Sequence, residues 1–280
     1  MVDFANNQQR KKIHNEINIF TVPSTLGEVK EDIEITTNTN SKLSKEEKIS
    51  QAFKFHSEGK ISKAAKYYQY FIDQGFKDHR VFSNLGILLK DLGKSQEAEK
   101  SYRKAIELKP DYIEAYFNLG NILKDCGRSQ EAETAYRKVI LLKSDFPEAY
   151  NNLGIIMKNL GRSKEAIFSF NKAIEIKSDY AEAYNNLGII MKDLGRSKEA
   201  ISFLHKAIVI KTDYVEAYSN LGNILNDLGK LEEAELSHRK AIQINPDFAD
   251  AYSNLGNILK DLGRLEEAEL SHRKAIQINP

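Results

Sequence analysis

The feature that most constrains the fold of this sequence is a pair of glycines, seven residues apart, that recurs every 34 residues. Most of the 15 glycines obey this period. The pairs are Gly86/Gly93, Gly120/Gly127, Gly154/Gly161, Gly188/Gly195, Gly222/Gly229 and Gly256/Gly263, and Gly59 fits the second position of an earlier pair. Repetition this regular predicts a solenoid in which each repeat packs on its neighbours, not the one or two globular domains that 280 residues would otherwise suggest.

The period divides the chain into seven tandem repeats that follow a non-repetitive segment. Residues 1–44 are rich in Asn, Thr, Ser, Lys and Glu, and this composition predicts an extension that is disordered or loosely attached. Counting Tyr116 as the fourth residue of its repeat places repeats 1 to 7 at 45–78, 79–112, 113–146, 147–180, 181–214, 215–248 and 249–280.

Each repeat has the apolar spacing of two helices. In repeat 3, Ala115, Leu119 and Ile122 recur at steps of three and four residues, and Ala132 and Tyr136 begin a second such series. The glycine between the two series fits the left-handed residue that ends a helix. The glycine inside the first helix costs about 1 kcal/mol relative to Ala, so we expect the partner helix to pack closely there.

Acidic residues with capping-box spacing precede several of the first helices, and we expect them to mark the helix starts. The pairs are Asp111/Glu114, Asp145/Glu148, Asp179/Glu182 and Asp213/Glu216.

The repeats resemble tetratricopeptide repeats over residues 45–280. The residues that carry the resemblance in repeat 3 are Tyr116, Leu119, Gly120, Leu123, Ala132, Tyr136 and Val139. The resemblance implies an all-α, right-handed α-solenoid of tandem helix-turn-helix repeats. It also implies that positions 2, 5, 6, 9, 12 and 13 of each first helix face a concave inner wall.

The charge balance and the hydropathy pattern exclude several classes of partner. The 41 Lys and Arg residues are matched by 40 Asp and Glu residues, so no basic excess indicates nucleic-acid binding. The longest apolar runs are far shorter than a membrane span, and the first 30 residues have no signal-peptide core. We therefore expect a cytoplasmic protein that binds neither nucleic acid nor membrane.

The sequence shows no constellation of catalytic or metal-binding residues, so we expect no cofactor, no metal and no enzymatic activity in the chain itself. Gly93, Lys94 and Ser95 do not form a phosphate-binding loop, because the glycine spacing is wrong and the segment is helical in pattern. His238 takes the place of an aromatic residue of other repeats, which predicts a packing role. The single cysteine, Cys126, takes the place of leucines and is expected to be buried.

Position 6 is Asn in six consecutive repeats, and these residues are the first candidates for a binding site: Asn84, Asn118, Asn152, Asn186, Asn220 and Asn254. Asn is an indifferent helix former, and its amide can bind successive peptide groups of an extended chain. The row resembles the asparagine ladder of O-linked N-acetylglucosamine transferases and of cyanobacterial repeat proteins, at position 6 only. The alternative is that copied repeats simply inherited it.

Neighbouring positions are expected to give specificity. The apolar candidates are Phe117, Ile155 and Ile189, and the acidic candidates at position 13 are Asp91, Asp125, Asp193 and Asp227. Position 12 carries a row of lysines, and a cation there also suits the helix dipole without any ligand.

Three functions fit these patterns. The first is an interaction module that holds an extended peptide or partner segment of unknown identity in the concave groove. The second is the substrate-recognition arm of a longer, glycosyltransferase-like enzyme whose catalytic domain would follow residue 280. The third is a structural spacer.

The two ends of the array differ from the middle. Repeat 1 keeps Ala64 and Tyr68 but lacks the other motif residues, as a capping repeat should. Repeat 7 nearly duplicates repeat 6 and keeps Leu270 and Ile276 with nothing in the sequence to cover them. We therefore expect self-association through this uncapped repeat.

Overall fold

The computed structural model describes residues 44–279, which form fourteen α-helices and no strand. The disordered or loosely attached extension predicted at residues 1–44 lies outside the described residues, except for Ser44. Clustering of contacts divides the chain into two compact units, one ending at Ser144 and one beginning at Asp145.

The N-terminal unit contains three helix pairs. The helices are α1 (Lys45–Ser57), α2 (Ile61–Asp73), α3 (His79–Asp91), α4 (Ser95–Leu108), α5 (Ile113–Asp125) and α6 (Ser129–Leu142). Its core begins with Ile49, Tyr68, Phe71 and Leu88, all buried, so repeat 1 is packed against repeat 2 through apolar side chains.

The C-terminal unit contains four helix pairs. The helices are α7 (Pro147–Asn159), α8 (Ser163–Ile176), α9 (Ala181–Asp193), α10 (Ser197–Ile210), α11 (Val215–Asp227), α12 (Leu231–Ile244), α13 (Ala249–Asp261) and α14 (Leu265–Ile278). Contacts are most extensive within a pair, and successive pairs stack on one another. The fold is therefore an all-α solenoid of helix-turn-helix repeats, as the sequence predicts.

Both predicted roles of the glycine pair are confirmed. Gly127 follows α5 with a φ of 73°, and the Arg128 N–H donates to the Leu123 carbonyl at 2.8 Å, which closes the helix end. Gly154 lies inside α7, where a Cβ atom would come within 2.6 Å of the Phe170 ring on α8. Two glycines therefore set the turn and the interhelical distance of repeats 2 to 7.

The predicted capping boxes are wrong. The N-cap residues of the helices concerned are Tyr112, Phe146, Tyr180 and Tyr214, and none of these makes a side-chain capping bond. Phe146 and Tyr214 are 4% and 8% exposed, so a packed aromatic residue occupies the N-cap position. The acidic residue lies one position before the N-cap, where its side chain does not cap the helix. The capping box that does form joins Ser44 and Glu47 at the start of α1.

The predicted burial of Cys126 is also wrong, because this residue is exposed. It is the C-cap of α5, and the leucines at the equivalent ends of α9 and α11, Leu194 and Leu228, are 45% and 46% exposed. The last position of the first helix therefore lies at the rim of the repeat core.

Candidate binding cleft

A cleft of 650 Å³ lies along the first helices of repeats 5 to 7, within the C-terminal unit. Its lining is mostly polar. The lining residues are Glu182, Asn185, Ile189, Lys211, Tyr214, Glu216, Ser219, Asn220, Asn223, Phe248, Asp250, Ser253 and Asn254.

Helix periodicity explains this set. Positions 2, 5, 6 and 9 of a first helix lie three and four residues apart and form one stripe, so α9, α11 and α13 each contribute from these positions. The resemblance to tetratricopeptide repeats implies the same positions for the inner wall. Three residues from the segments before the first helices, Lys211, Tyr214 and Phe248, complete the lining and were not among the candidates. Tyr214 and Phe248 are the N-cap residues of α11 and α13.

Asparagine side chains in the cleft bond to one another across repeats. Asn220 Nδ2 donates to Asn185 Oδ1 at 3.0 Å, and Asn254 Nδ2 donates to Asn223 Oδ1 at 3.0 Å. Within residues 44–279, Asn220 Oδ1 and Asn254 Oδ1 accept no hydrogen bond, and the Nδ2 groups of Asn185 and Asn223 make none. Each amide pair therefore presents one acceptor and one donor to the cleft.

The candidates Asn152 and Asn186 are not fully open to solvent. Both side chains are half-buried, and Asn186 Nδ2 donates to Asn151 Oδ1 at 2.9 Å. The reason is that position 5 is buried between neighbouring first helices, as the 5% exposure of both Asn151 and Asn185 shows. A single-helix pattern does not reveal this burial.

The candidates of the N-terminal unit are less accessible than expected. Asn84 and Asn118 are each 7% exposed, and Asn84 Nδ2 donates to the Arg80 carbonyl at 2.9 Å. Phe117 is 8% exposed and packs edge-on against Tyr136, with 6.0 Å between ring centroids, so it is a core residue and not an apolar surface patch.

The other candidates lie in the C-terminal unit or at helix ends. Ile155 and Ile189 are half-buried, and Ile189 lines the cleft. The position-13 residues Asp91, Asp125, Asp193 and Asp227 are exposed and do not line this cleft.

Two of these aspartates pair with the lysine row. Asp125 Oδ2 lies 3.8 Å from Lys90 Nζ, and Asp227 Oδ2 lies 3.0 Å from Lys192 Nζ, each pair joining adjacent repeats. Repeat-to-repeat ion pairing thus accounts for Asp125 and Asp227, with Lys90 and Lys192, without a ligand.

The acidic side of the cleft is only partly neutralised. Glu182 Oε1 lies 3.8 Å from Lys211 Nζ, and the same ammonium lies 4.6 Å from the centroid of the Tyr214 ring. Burial, followed by the charges of Glu182 and Glu216, raises the pKa of Tyr214, so its hydroxyl stays protonated. Among residues 44–279, Glu216 and Asp250 have no ion-pair partner.

The predicted packing role of His238 is confirmed. The side chain is fully buried, and its Nε2 lies 2.6 Å from where a Cβ on Gly222 would be. Neither ring nitrogen has a hydrogen-bond partner in the described part of the chain, and burial lowers the pKa of His238 to about 4. The equivalent His272 is half-buried against Gly256.

Residues 44–279 contain neither a metal-binding cluster nor a membrane-spanning helix. No three His, Cys, Asp or Glu side chains in this range are grouped so that they could hold a metal ion. None of its helices has the length and apolar character needed to cross a bilayer.

Solved structures similar to this one are repeat proteins. A tetratricopeptide repeat protein from Parabacteroides merdae is 21% identical, with a TM-score of 0.70 over 84% of this chain and 93% of that chain. A chain of the APC/C hetero-tetramer Cut9-Hcn1 is 16% identical, with a TM-score of 0.68 over 83% of this chain but only 46% of that one, so the match spans less than half of its length. MamA protein is 29% identical, with a TM-score of 0.51 over 59% of this chain and 91% of that chain.

Family models match most of the repeat region. The model described as TPR repeat matches residues 86–127, 120–161, 158–195 and 222–263, and models described as tetratricopeptide repeat match 181–214 and 249–280. No curated protein matches the chain significantly. An array of such repeats is typically non-catalytic. Because one family model alone covers more than half of the sequence, the chain belongs to the tetratricopeptide repeat (TPR) family.

Proposed function

We propose that the C-terminal unit binds an extended polypeptide segment of a partner protein in the cleft between α9, α11 and α13. As a TPR array the chain is a protein-interaction scaffold, and the cleft is where the described residues offer unsatisfied polar groups. A free-standing interaction module and the recognition arm of a longer transferase would both require this binding.

The observation that carries the proposal is the pairing of the cleft asparagines. Each pair, Asn220 with Asn185 and Asn254 with Asn223, leaves one carbonyl oxygen and one NH₂ group without a partner. A peptide group needs one acceptor and one donor, so each pair matches one peptide group of an extended chain. Hydrogen bonds of roughly 0.5 to 1.5 kcal/mol each predict weak binding that depends little on side chains.

The experiment is selection of a phage-displayed library of random unstructured peptides on the purified chain, followed by affinity measurement on synthetic copies of the selected peptides. Asn220→Ala with Asn254→Ala should weaken binding about tenfold, because it removes both free carbonyl oxygens. Asn171→Ala is the matched control, since Asn171 is exposed on α8 and does not line the cleft. Failure to select any peptide, or equal binding by the double variant, would contradict the proposal.

A further inference from the structure

Repeat 5 contains a cation site that is complete within the protein. The ammonium of Lys211, at position 31, lies between the Glu182 carboxylate and the ring of Tyr214, at positions 2 and 34 of the same repeat. A cation held between a carboxylate and an aromatic face is favourable both as an ion pair and as a cation–π contact.

Repeat 6 keeps the carboxylate and the aromatic ring of this site but not the lysine. Glu216 and Phe248 take the places of Glu182 and Tyr214, whereas position 31 is Asn245. Both Glu216 and Phe248 line the cleft, and Glu216 is exposed with no ion-pair partner among the described residues. Asp250, the equivalent carboxylate of repeat 7, adds a second unpaired charge to the same cleft.

A serine hydroxyl in the same cleft is also without a partner among the described residues. Ser219 is 5% exposed, lines the cleft and makes no hydrogen bond within residues 44–279. In repeat 2 the equivalent Ser83 lies within hydrogen-bonding reach of the Tyr112 hydroxyl. Phe248 lacks a hydroxyl group, so the Ser219 oxygen can accept a hydrogen bond from a donor that enters the cleft.

We propose that the cleft selects polypeptide segments that carry a Lys or Arg side chain, whose cation binds between Glu216 and Phe248 as Lys211 does between Glu182 and Tyr214. The inference rests on the proposed function, because the same asparagines hold the backbone of the segment. The ligand's aliphatic stem packs on Phe248, its charge pairs with Glu216, and Asp250 biases the surrounding cleft toward cations. The partner is therefore an extended basic segment of a protein.

The test compares each selected peptide with a copy in which its Lys and Arg residues are replaced by Gln. The chain should bind the basic peptide roughly three to ten times more tightly than the Gln copy, and this preference should shrink as salt is added. Asn245→Lys supplies repeat 6 with its own cation and should abolish the preference while leaving affinity for the Gln copy unchanged.

Two further variants separate the site from bulk charge. Glu216→Gln should reduce the preference for the basic peptide. Glu232→Gln changes the net charge by the same amount but should leave the preference unchanged. Glu232 is an exposed residue of α12 without an ion-pair partner in the described chain. Equal affinity for basic and Gln peptides, or equal effects of the two variants, overturns this inference and leaves the proposed function standing. Failure of every peptide to bind, or binding that Asn220→Ala with Asn254→Ala does not weaken, overturns the proposed function itself.

Discussion

At the residue scale, a glycine inside the first helix of repeats 2 to 7 makes room for the side chain at position 24 on the second helix. A Cβ on Gly154 would lie 2.6 Å from Phe170 Cε1, closer than non-bonded carbons approach. We therefore expect Gly154→Leu to lower the free energy of unfolding by about 1 to 3 kcal/mol, measured by urea denaturation. Adding Phe170→Ala removes the ring, so the double variant should lose less than the sum of the two single losses. Strict additivity would mean that the two side chains do not meet.

The burial of His238 makes stability depend on pH. Its pKa is lowered to about 4 in the folded protein, below the ordinary value of 6.5, so the unfolded chain binds the proton more readily. The contribution of the neutral His238 side chain to the free energy of unfolding is complete above pH 6.5. It decreases as the pH falls and stops changing below about pH 4. We expect His238 to lower the free energy of unfolding by about 2 kcal/mol when the pH falls from 7 to 5.

The check is thermal or urea unfolding of His238→Phe at both pH values. Repeat 4 already holds Phe170 at this position opposite its own glycine, so the substitution suits the site. The variant should lose less stability than the parent on acidification. Some dependence will remain, because burial also lowers the pKa of His56 to about 4. An unchanged pH slope would show that His238 is not protonated on unfolding.

At the element scale, ion pairs connect the second helices of neighbouring repeats. Arg264, which precedes α14, lies 2.8 Å from Glu235 on α12 and 2.7 Å from Glu267 on α14. Arg239 on α12 pairs with the same two carboxylates. Arg128 with Glu99 and Glu131 forms the equivalent bridge in the N-terminal unit. Such shared pairs connect neighbouring repeats at the surface, whereas apolar burial supplies most of the stability.

The helices themselves could be predicted from the sequence, because their signals are local. Apolar spacing and a left-handed glycine act within one repeat, and both were interpreted correctly. The helix caps could not, because burial of residues such as Tyr214 decides where the helix begins.

The cleft was only partly predictable for a related reason. Position 6 was a candidate from the sequence, and Asn220 and Asn254 line the cleft, but the pairing of Asn220 with Asn185 depends on the stacking of one repeat on the next. A 34-residue pattern does not encode the distance between repeats. The cation site proposed for repeat 6 likewise depends on the contact of Lys211 with Glu182, which the sequence does not show.

At the scale of the whole molecule, the last described helix exposes an apolar side chain that the preceding repeat covers. Ile242 on α12 packs against Leu255 and Leu259, whereas the equivalent Ile276 on α14 is 65% exposed. Leu270 on the same helix is 67% exposed, as is its equivalent Leu236 on α12 at 71%. The net charge of the chain is +1, so little electrostatic repulsion opposes contact between copies.

We therefore expect the 280-residue chain to self-associate through α14 as its concentration rises, measured by sedimentation velocity. Leu270→Glu with Ile276→Glu should shift the equilibrium to monomer without changing peptide affinity, because neither residue lines the cleft. Val209→Glu is the matched control, since Val209 is 77% exposed but lies on α10, in the middle of the unit. Burial of Leu270 and Ile276 is expected to drive the contact between copies. An association surface on α14 would be contradicted if the chain stayed monomeric, or if Val209→Glu dissociated it as well as the double variant does.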